Sequence, residues 1–253
     1  MKGLSPDTEK VFNSIKRFDL FKDYILIGGT ALSIQINHRL SEDLDFCKWQ
    51  DDPKTRNKEI AWPEIEKYLK LAGAVKTDIL DLYQVNFSLN NVKISFYSNA
   101  LTSSTEVQTS NTAYEQIRVA DIKSLGVMKL EVMSRRNLFR DYYDVYSILQ
   151  EGISLKDLVR CCGIYSRHRM KSKTILSILS NSSLFKYEEN FELLDPKYQV
   201  NSKDIETYMR SGILKEFSFR SLKAEDGRER KEGEIVAKRR FRDSGKRRRG
   251  EIL

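Results

Sequence analysis

Cysteine is scarce in this chain of 253 residues, and the three present, Cys47, Cys161 and Cys162, form no CxxC pair. An odd count that includes an adjacent pair argues against a disulfide framework and fits a reducing compartment. Histidine is scarcer still. His38 and His168 lie far apart in sequence, so a histidine-built metal centre is not expected. Long apolar runs are missing too: the longest, Tyr24 to Ile36, is broken by Gly28 and Gly29, and Met1 to Lys10 lacks the basic-then-apolar layout of a secretory leader. A soluble, cytoplasmic protein with no membrane partner is expected.

What is present is a balanced composition, 40% hydrophobic and 32% charged, enough to bury one substantial core or two smaller ones. The net charge of +8 is unevenly placed: Ser221 to Leu253 holds twelve Lys/Arg against seven Asp/Glu, leaving the body only mildly basic. Such a tail reads as disordered, either a solvated extension or an arm that orders on a polyanion. Charge alone does not name a substrate.

Periodicity supplies the organisation. Val11, Ile15, Phe18 and Leu20 form a rough helical stripe after Ser5-Pro6, and Tyr24 to Ile27 reads as a buried strand ending in Gly28-Gly29. A short helix over Ala31 to Asn37 follows, with Thr30 placed to cap it. A second strand is expected over Leu44 to Lys48, and a helix from Pro63 to Ala72 that stops at Gly73. Val85, Phe87 and Leu89, then Asn90-Asn91, then Val92, Ile94 and Phe96 give a hairpin. After Asp121 the pattern turns helical, over Ile122 to Arg136, Asp141 to Gln150, Leu155 to Cys162 and Met170 to Leu179. The expectation is an α+β chain: a mixed-sheet domain with flanking helices over residues 1–118, a helical domain over 119–220, and the basic tail over 221–253.

The chemical signal lies in Gly28-Gly29-Thr30 followed by Asp43-Leu44-Asp45-Phe46. If Leu44 and Phe46 point into the core of a strand, Asp43 and Asp45 emerge together on its other face, about 7 Å apart along the chain. Two such carboxylates suit a divalent cation with oxygen ligands. The glycines let a phosphate approach the backbone, and the helix after them aims free amides and a positive dipole end toward it. Either motif alone is more often a turn or a solvated strand face; their order is what points to triphosphate chemistry.

At these residues the chain resembles the nucleotidyltransferase superfamily and, within it, the AbiEii/AbiGii toxin family of bacterial toxin-antitoxin and phage-defence systems. The resemblance rests on Ile27 to Leu32, on His38 to Phe46, and downstream on Lys129-Leu130, Arg135-Arg136 and Arg140 to Val145, which looks like the family's lysine-helix and RDxxD-type motifs. It spans about residues 20 to 150. It implies a nucleotidyltransferase-like fold, transfer of a nucleotide from a nucleoside triphosphate, and the acceptor end of transfer RNA as a substrate of some members.

The downstream block has its own logic. On one continuous helix Lys129, Met133, Arg136 and Arg140 recur at three- and four-residue steps, with Asp144 one turn on, so Lys129 can meet a polyphosphate while Asp141 or Asp144 orients it or the arginines. The same charges also fit an exposed helix with ordinary ion pairs. One departure stands out: Ser95 occupies the place on a neighbouring strand where many nucleotidyltransferases carry a third carboxylate. Either two aspartates suffice, or Asp78 or Asp81 approaches, or activity is lost. His38 and Ser41 are expected to shape the loop.

The expected catalytic set is therefore Asp43, Asp45, Lys129, Asp141 and Asp144. Asp43 and Asp45 hold Mg²⁺, with Mn²⁺ an alternative, and Gly28, Gly29, Thr30, Arg39 and Arg136 contact the nucleotide. The expected partners are a nucleoside triphosphate, an RNA acceptor and an antitoxin protein. Transfer to a protein or small molecule, and silent nucleotide or RNA binding, remain alternatives.

Overall fold

The computed structural model describes residues 1–48, 59–98, 109–166 and 169–217; the basic tail lies outside them. Ser5 accepts a hydrogen bond from the Thr8 amide and a proline opens the first turn, so helix α1 runs Pro6–Ile15. Phe18 and Leu20 do not continue its stripe. The helix closes at Lys16, and the chain enters a short 3₁₀ turn, Asp19–Asp23. Strand β1 (Ile25–Ile27) then leads without a loop into α2 (Gly28–Ile36), and β2 (Leu44–Lys48) returns antiparallel to β1.

Helix α3 (Trp62–Leu69) has its proline in the first turn but ends short of Ala72. Three antiparallel strands follow, β3 (Val75–Asp81), β4 (Gln84–Leu89) and β5 (Val92–Ser98). The β4–β5 turn is made by Asn90 and Asn91, with φ of 51° and 65°, the paired left-handed geometry of a two-residue hairpin. Strands β6 (Thr109–Tyr114) and β7 (Ile117–Ala120) complete a seven-stranded mixed sheet ordered β3-β4-β5-β2-β1-β7-β6. Strands β1 and β2 lie side by side near its centre, with β2 parallel to β5 and β1 parallel to β7.

Asp121 then caps α4 (Ile122–Met133), which is followed by α5 (Phe139–Gln150), α6 (Leu155–Tyr165), α7 (Ser172–Leu179) and α8 (Ser202–Glu216). The fold is α+β, as the sequence suggests. Its helical half is continuous with the sheet: one cluster of buried apolar side chains runs from Leu4 to Phe217. Backbone bonds tie the halves together as well, the Leu40 amide donating to Leu194 and the Lys197 amide to His38. Among the described residues no helix is long and apolar enough to cross a membrane.

Candidate active site

Alternation along β2 buries Leu44 and Phe46 completely and leaves Asp45 half-buried on the opposite face. Register pairs Asp45 with Ile27, the last residue of β1, so its carboxylate lies against the glycine turn that opens α2. Gly28 has φ +75°, and a β-carbon there would stand 2.5 Å from Asp45 Oδ2; one on Gly29 would stand 2.6 Å from Arg39 Nη2. The glycines are thus required first by the chain's own side chains. Room for the aspartate and the arginine beside the helix start is what they provide.

Thr30 does not cap α2. The helix starts two residues earlier, and the Thr30 hydroxyl is buried inside the first turn, where it is bonded to the Asp43 carbonyl and to Ser41 Oγ. That bond ties the loop carrying Asp43 to the helix. Asp43 immediately precedes β2, and it lines the same open cleft as Asp45 and Gly29.

The rest of the lining is largely cationic. Arg39, Lys93, Lys129, Arg136 and Arg140 line the cleft against Glu42, Asp43 and Asp45. Several of these cations are held from behind. Arg39, almost fully buried, grips Asp144 with two nitrogens, Nε to Oδ1 at 2.8 Å and Nη2 to Oδ2 at 3.0 Å, while Nη1 donates to the Leu40 carbonyl. Lys129 Nζ reaches Asp141 Oδ1 at 2.8 Å and Asp144 Oδ2 at 2.7 Å. Arg136, about half exposed, forks onto Asp141 at 2.9 and 3.1 Å. His38 Nε2 completes the cluster at 2.8 Å from Asp144 Oδ1.

One continuous helix does not bring these groups together. Ser134 Oγ turns back onto the Glu131 carbonyl at the end of α4, the chain leaves the helix, and α5 begins at Phe139. Lys129 therefore meets Asp141 and Asp144 across a helix–helix corner. Met133, placed on the same expected face, is core.

Electrostatics separate Asp45 from Asp141 and Asp144. Burial alone would push the Asp144 and Asp141 carboxyls up, but the surrounding cations, Arg39 and Lys129 for the first and Lys129 and Arg136 for the second, hold both below the usual carboxylate range. Against its own burial, Lys129 is held up by Asp144 and Asp141 and stays charged. Burial pushes His38 down, and Asp144 beside it does not reverse that. Asp45 behaves oppositely: burial and then the charge of Asp43 push its carboxyl up.

The model of the AbiEii nucleotidyl transferase toxin family, assigned to type IV toxin-antitoxin systems, matches residues 11–216. The chain belongs to this family. It is 24% identical to an uncharacterized protein of Aquifex aeolicus (strain VF5) over 159 residues, 62% of this chain and 73% of that one. Among solved structures it is similar to MenT4, a nucleotidyltransferase toxin from Mycobacterium tuberculosis H37Rv, with TM-score 0.52 and 15% identity over 90% of this chain and 89% of that one. JHP933 from Helicobacter pylori matches with TM-score 0.49 and 17% identity over 94% and 99%. At 15% identity the likeness to MenT4 speaks for the fold alone, and the family match makes the chain a nucleotidyltransferase.

In this AbiEii-family chain the cleft gathers Asp43, Asp45, Gly29, Arg39, Lys129 and Arg136 from the expected set. Asp141 and Asp144 sit fully buried behind it, bonded to the cations that line it, and Thr30 is withdrawn into the helix. Ser95 lies directly across from Asp45 on β5, where a third carboxylate was sought. Asp78 does not approach. It pairs with Asn86, which pairs with Ser95, so three strand spacings, roughly 14 Å, separate it from Asp45. Asp81 sits farther along the same edge strand. Glu42, Lys93 and Tyr97 were not anticipated in the cleft. Alternation along β5 from Ser95 puts Lys93 and Tyr97 on its face, a signal present in the sequence once Ser95 is placed.

Proposed function

We propose that the chain transfers a nucleotide from a nucleoside triphosphate to a hydroxyl of an RNA acceptor, the 3′ end of transfer RNA, acting as the toxin of a toxin-antitoxin pair. The observation that carries this is a half-buried carboxylate, Asp45, beside Asp43 and a glycine-started helix in a cleft lined by five cations. Neighbouring acids that resist sharing their charge, with oxygen donors only, fit Mg²⁺ or Mn²⁺, which take one or two carboxylates and complete their shell with water and phosphate. Asp43 and Asp45 would hold the ion, and it would stabilise charge developing on the transferred phosphate.

The chain's own residues do the remainder. Gly29 and the start of α2 offer amides and a positive helix end to the phosphates. Arg136 and Arg140 reach the cleft from the half-exposed corner after α4, where a ligand can meet them. Lys129 and Arg39 have most of their donors committed to Asp141 and Asp144, so they act chiefly as fixed positive charge. The acceptor oxygen attacks the α-phosphorus, its proton passes to solvent water, the bond from the α-phosphorus to the bridging oxygen of the β-phosphate breaks, and pyrophosphate leaves. Ser95 cannot accept the hydroxyl proton as a carboxylate would, which is tolerable because such transfer depends mainly on positioning and charge stabilisation.

Incubation with each labelled triphosphate, with bulk transfer RNA, protein or an aminoglycoside as acceptor, tests both halves. Label is expected in RNA, and Asp43→Ala or Asp45→Ala removes it without unfolding the protein. Full incorporation by either variant refutes the site; label in protein or a small molecule refutes the acceptor.

A further inference from the structure

Five cations line the cleft, and four of them are already paired with the chain's own acids. Arg39 pairs with Asp144, Lys129 with Asp141 and Asp144, Arg136 with Asp141, and Arg140 with Glu188. Lys93 is the exception. It stands exposed on β5, and among the described residues it makes no ion pair and no side-chain hydrogen bond. A flexible ammonium whose donors are uncommitted is suited to a phosphate that arrives from outside.

Register fixes the flank of the acids on which Lys93 lies. Asp45 has Ile27 across from it on one side and Ser95 on the other, so the glycine turn that opens α2 and the strand that carries Lys93 stand on opposite sides of β2. Strands β2 and β5 run parallel with Leu44 beside Ile94, and Lys93, one residue earlier, comes level with Asp43. Its charge reaches Asp45 from there. Antiparallel pairing then places Ser88 beside Lys93 and Lys76 beside Ser88 on the same face. That row holds two lysines and no carboxylate. The neighbouring row runs from Asp45 through Ser95 and Asn86, and meets an acid again only at Asp78 on the edge strand.

The chemistry gives the two flanks different tasks. In this kind of transfer the attacking and leaving oxygens lie roughly in line through the phosphorus. With the leaving end of the triphosphate against α2, on the β1 side of Asp45, the attacking hydroxyl comes from the β5 side. On a nucleic acid, the charged group nearest that hydroxyl is a backbone phosphate.

We propose that Lys93 binds the backbone phosphate nearest the reacting hydroxyl of the RNA acceptor, on the flank of Asp43 and Asp45 opposite the triphosphate. This rests on the reading above, in which α2 takes the triphosphate and RNA is the acceptor, and it names the residue that holds that acceptor.

The test uses the full chain, bulk transfer RNA and a mixture of the four labelled triphosphates, each substrate varied with the other saturating. Binding of fluorescein-labelled transfer RNA is followed separately across a salt series. Lys93→Gln is expected to raise KM for RNA about fivefold or more, with KM for the triphosphates and kcat staying within about twofold. RNA should also bind more weakly, the salt slope falling by about 0.7 for one lost phosphate contact to a single strand. Lys93→Arg, which keeps the charge, is expected to restore most of both. An unmoved KM for RNA, or a rise in KM for the triphosphates in its place, overturns the proposal while transfer to RNA stands. Equal RNA affinity and salt slope in wild type and Lys93→Gln overturns it whether or not transfer is detected. Transfer by wild type to protein or a small molecule, with none to RNA, removes the acceptor reading and this inference with it. Lys93 is exposed and unbonded, so the melting temperature should match wild type; should Lys93→Gln fail to fold, Lys93→Thr, a better strand former, carries the same expectations.

Discussion

Two pairs of aspartates, built from the same side chain, sit within one site in opposite surroundings. Asp141 and Asp144 are fully buried, yet Arg39, Lys129 and Arg136 surround them, and both carboxyls are held below their usual range. Asp43 and Asp45 reach the open cleft, and Asp45 is pushed up, first by burial and then by the charge of Asp43, with Lys129 and Lys93 too weakly placed to reverse it. Burial does not decide the difference. The chain supplies cations to the first pair, and the second is left for a cation from solution.

The sharpest way to break this contrast is to neutralise one pair at a time. Asp43→Ala and Asp45→Ala are each expected to lower nucleotide transfer at least about 1000-fold, roughly 4 kcal/mol at the transition state, while the melting temperature stays within a few degrees. Asp144→Ala is expected to do the reverse first: leaving Arg39 and Lys129 buried without their partner costs about 3–5 kcal/mol of stability, read by denaturant unfolding. If Asp144→Ala melts like wild type, the buried network is not structural.

Next in size is Gly28→Ala. A residue at φ +75° whose β-carbon meets Asp45 Oδ2 must displace either the turn or the carboxylate, at about 1–3 kcal/mol. Transfer should fall well beyond the change in stability, since the displaced group is the proposed ligand. Parallel assays of activity and unfolding separate the two.

The smallest effect is read from pH and metal together. Asp45 is raised in the folded state, so without a cation its ionisation disfavours folding as pH rises through the unfolded and then the folded value; Asp144 and Asp141 are lowered, so their stabilisation is present above the ordinary carboxylate range and fades as pH falls through their folded values. At pH 7 Asp45→Asn is expected to raise the melting temperature of metal-free protein by a few degrees and Asp144→Asn to lower it. Mg²⁺ at tenfold its dissociation constant should add about 1.4 kcal/mol to wild type and nothing to Asp45→Asn. Equal stabilisation of both would remove Asp45 from the metal site.

Legibility in the sequence followed burial. Strands β1, β2, β4 and β5 announced themselves because their apolar residues face a core, with two asparagines marking the hairpin turn. Strand β3 gave no such alternation because nearly all of it is exposed at the sheet edge, β7 is only four residues long, and both were missed along with β6 and α8. The site divided the same way. Asp43 and Asp45 could be placed by strand alternation, whereas the partnership of Lys129 with Asp141 and Asp144 was right in its members and wrong in its geometry, because Ser134 ends the helix that was expected to carry them all.

By itself the sequence determined a glycine turn between strand and helix, a strand with one acid on its polar side and another just before it, and a lysine and two arginines with aspartates within a turn or two of them. These are local consequences of a period of two or of 3.6 residues. Only the tertiary structure decided which acids received which cations. Arg39 reaches Asp144 across 105 positions of chain, and Lys129 reaches it across a corner between helices. Charge pairing in a folded protein is set by distance in space, which no local repeat encodes.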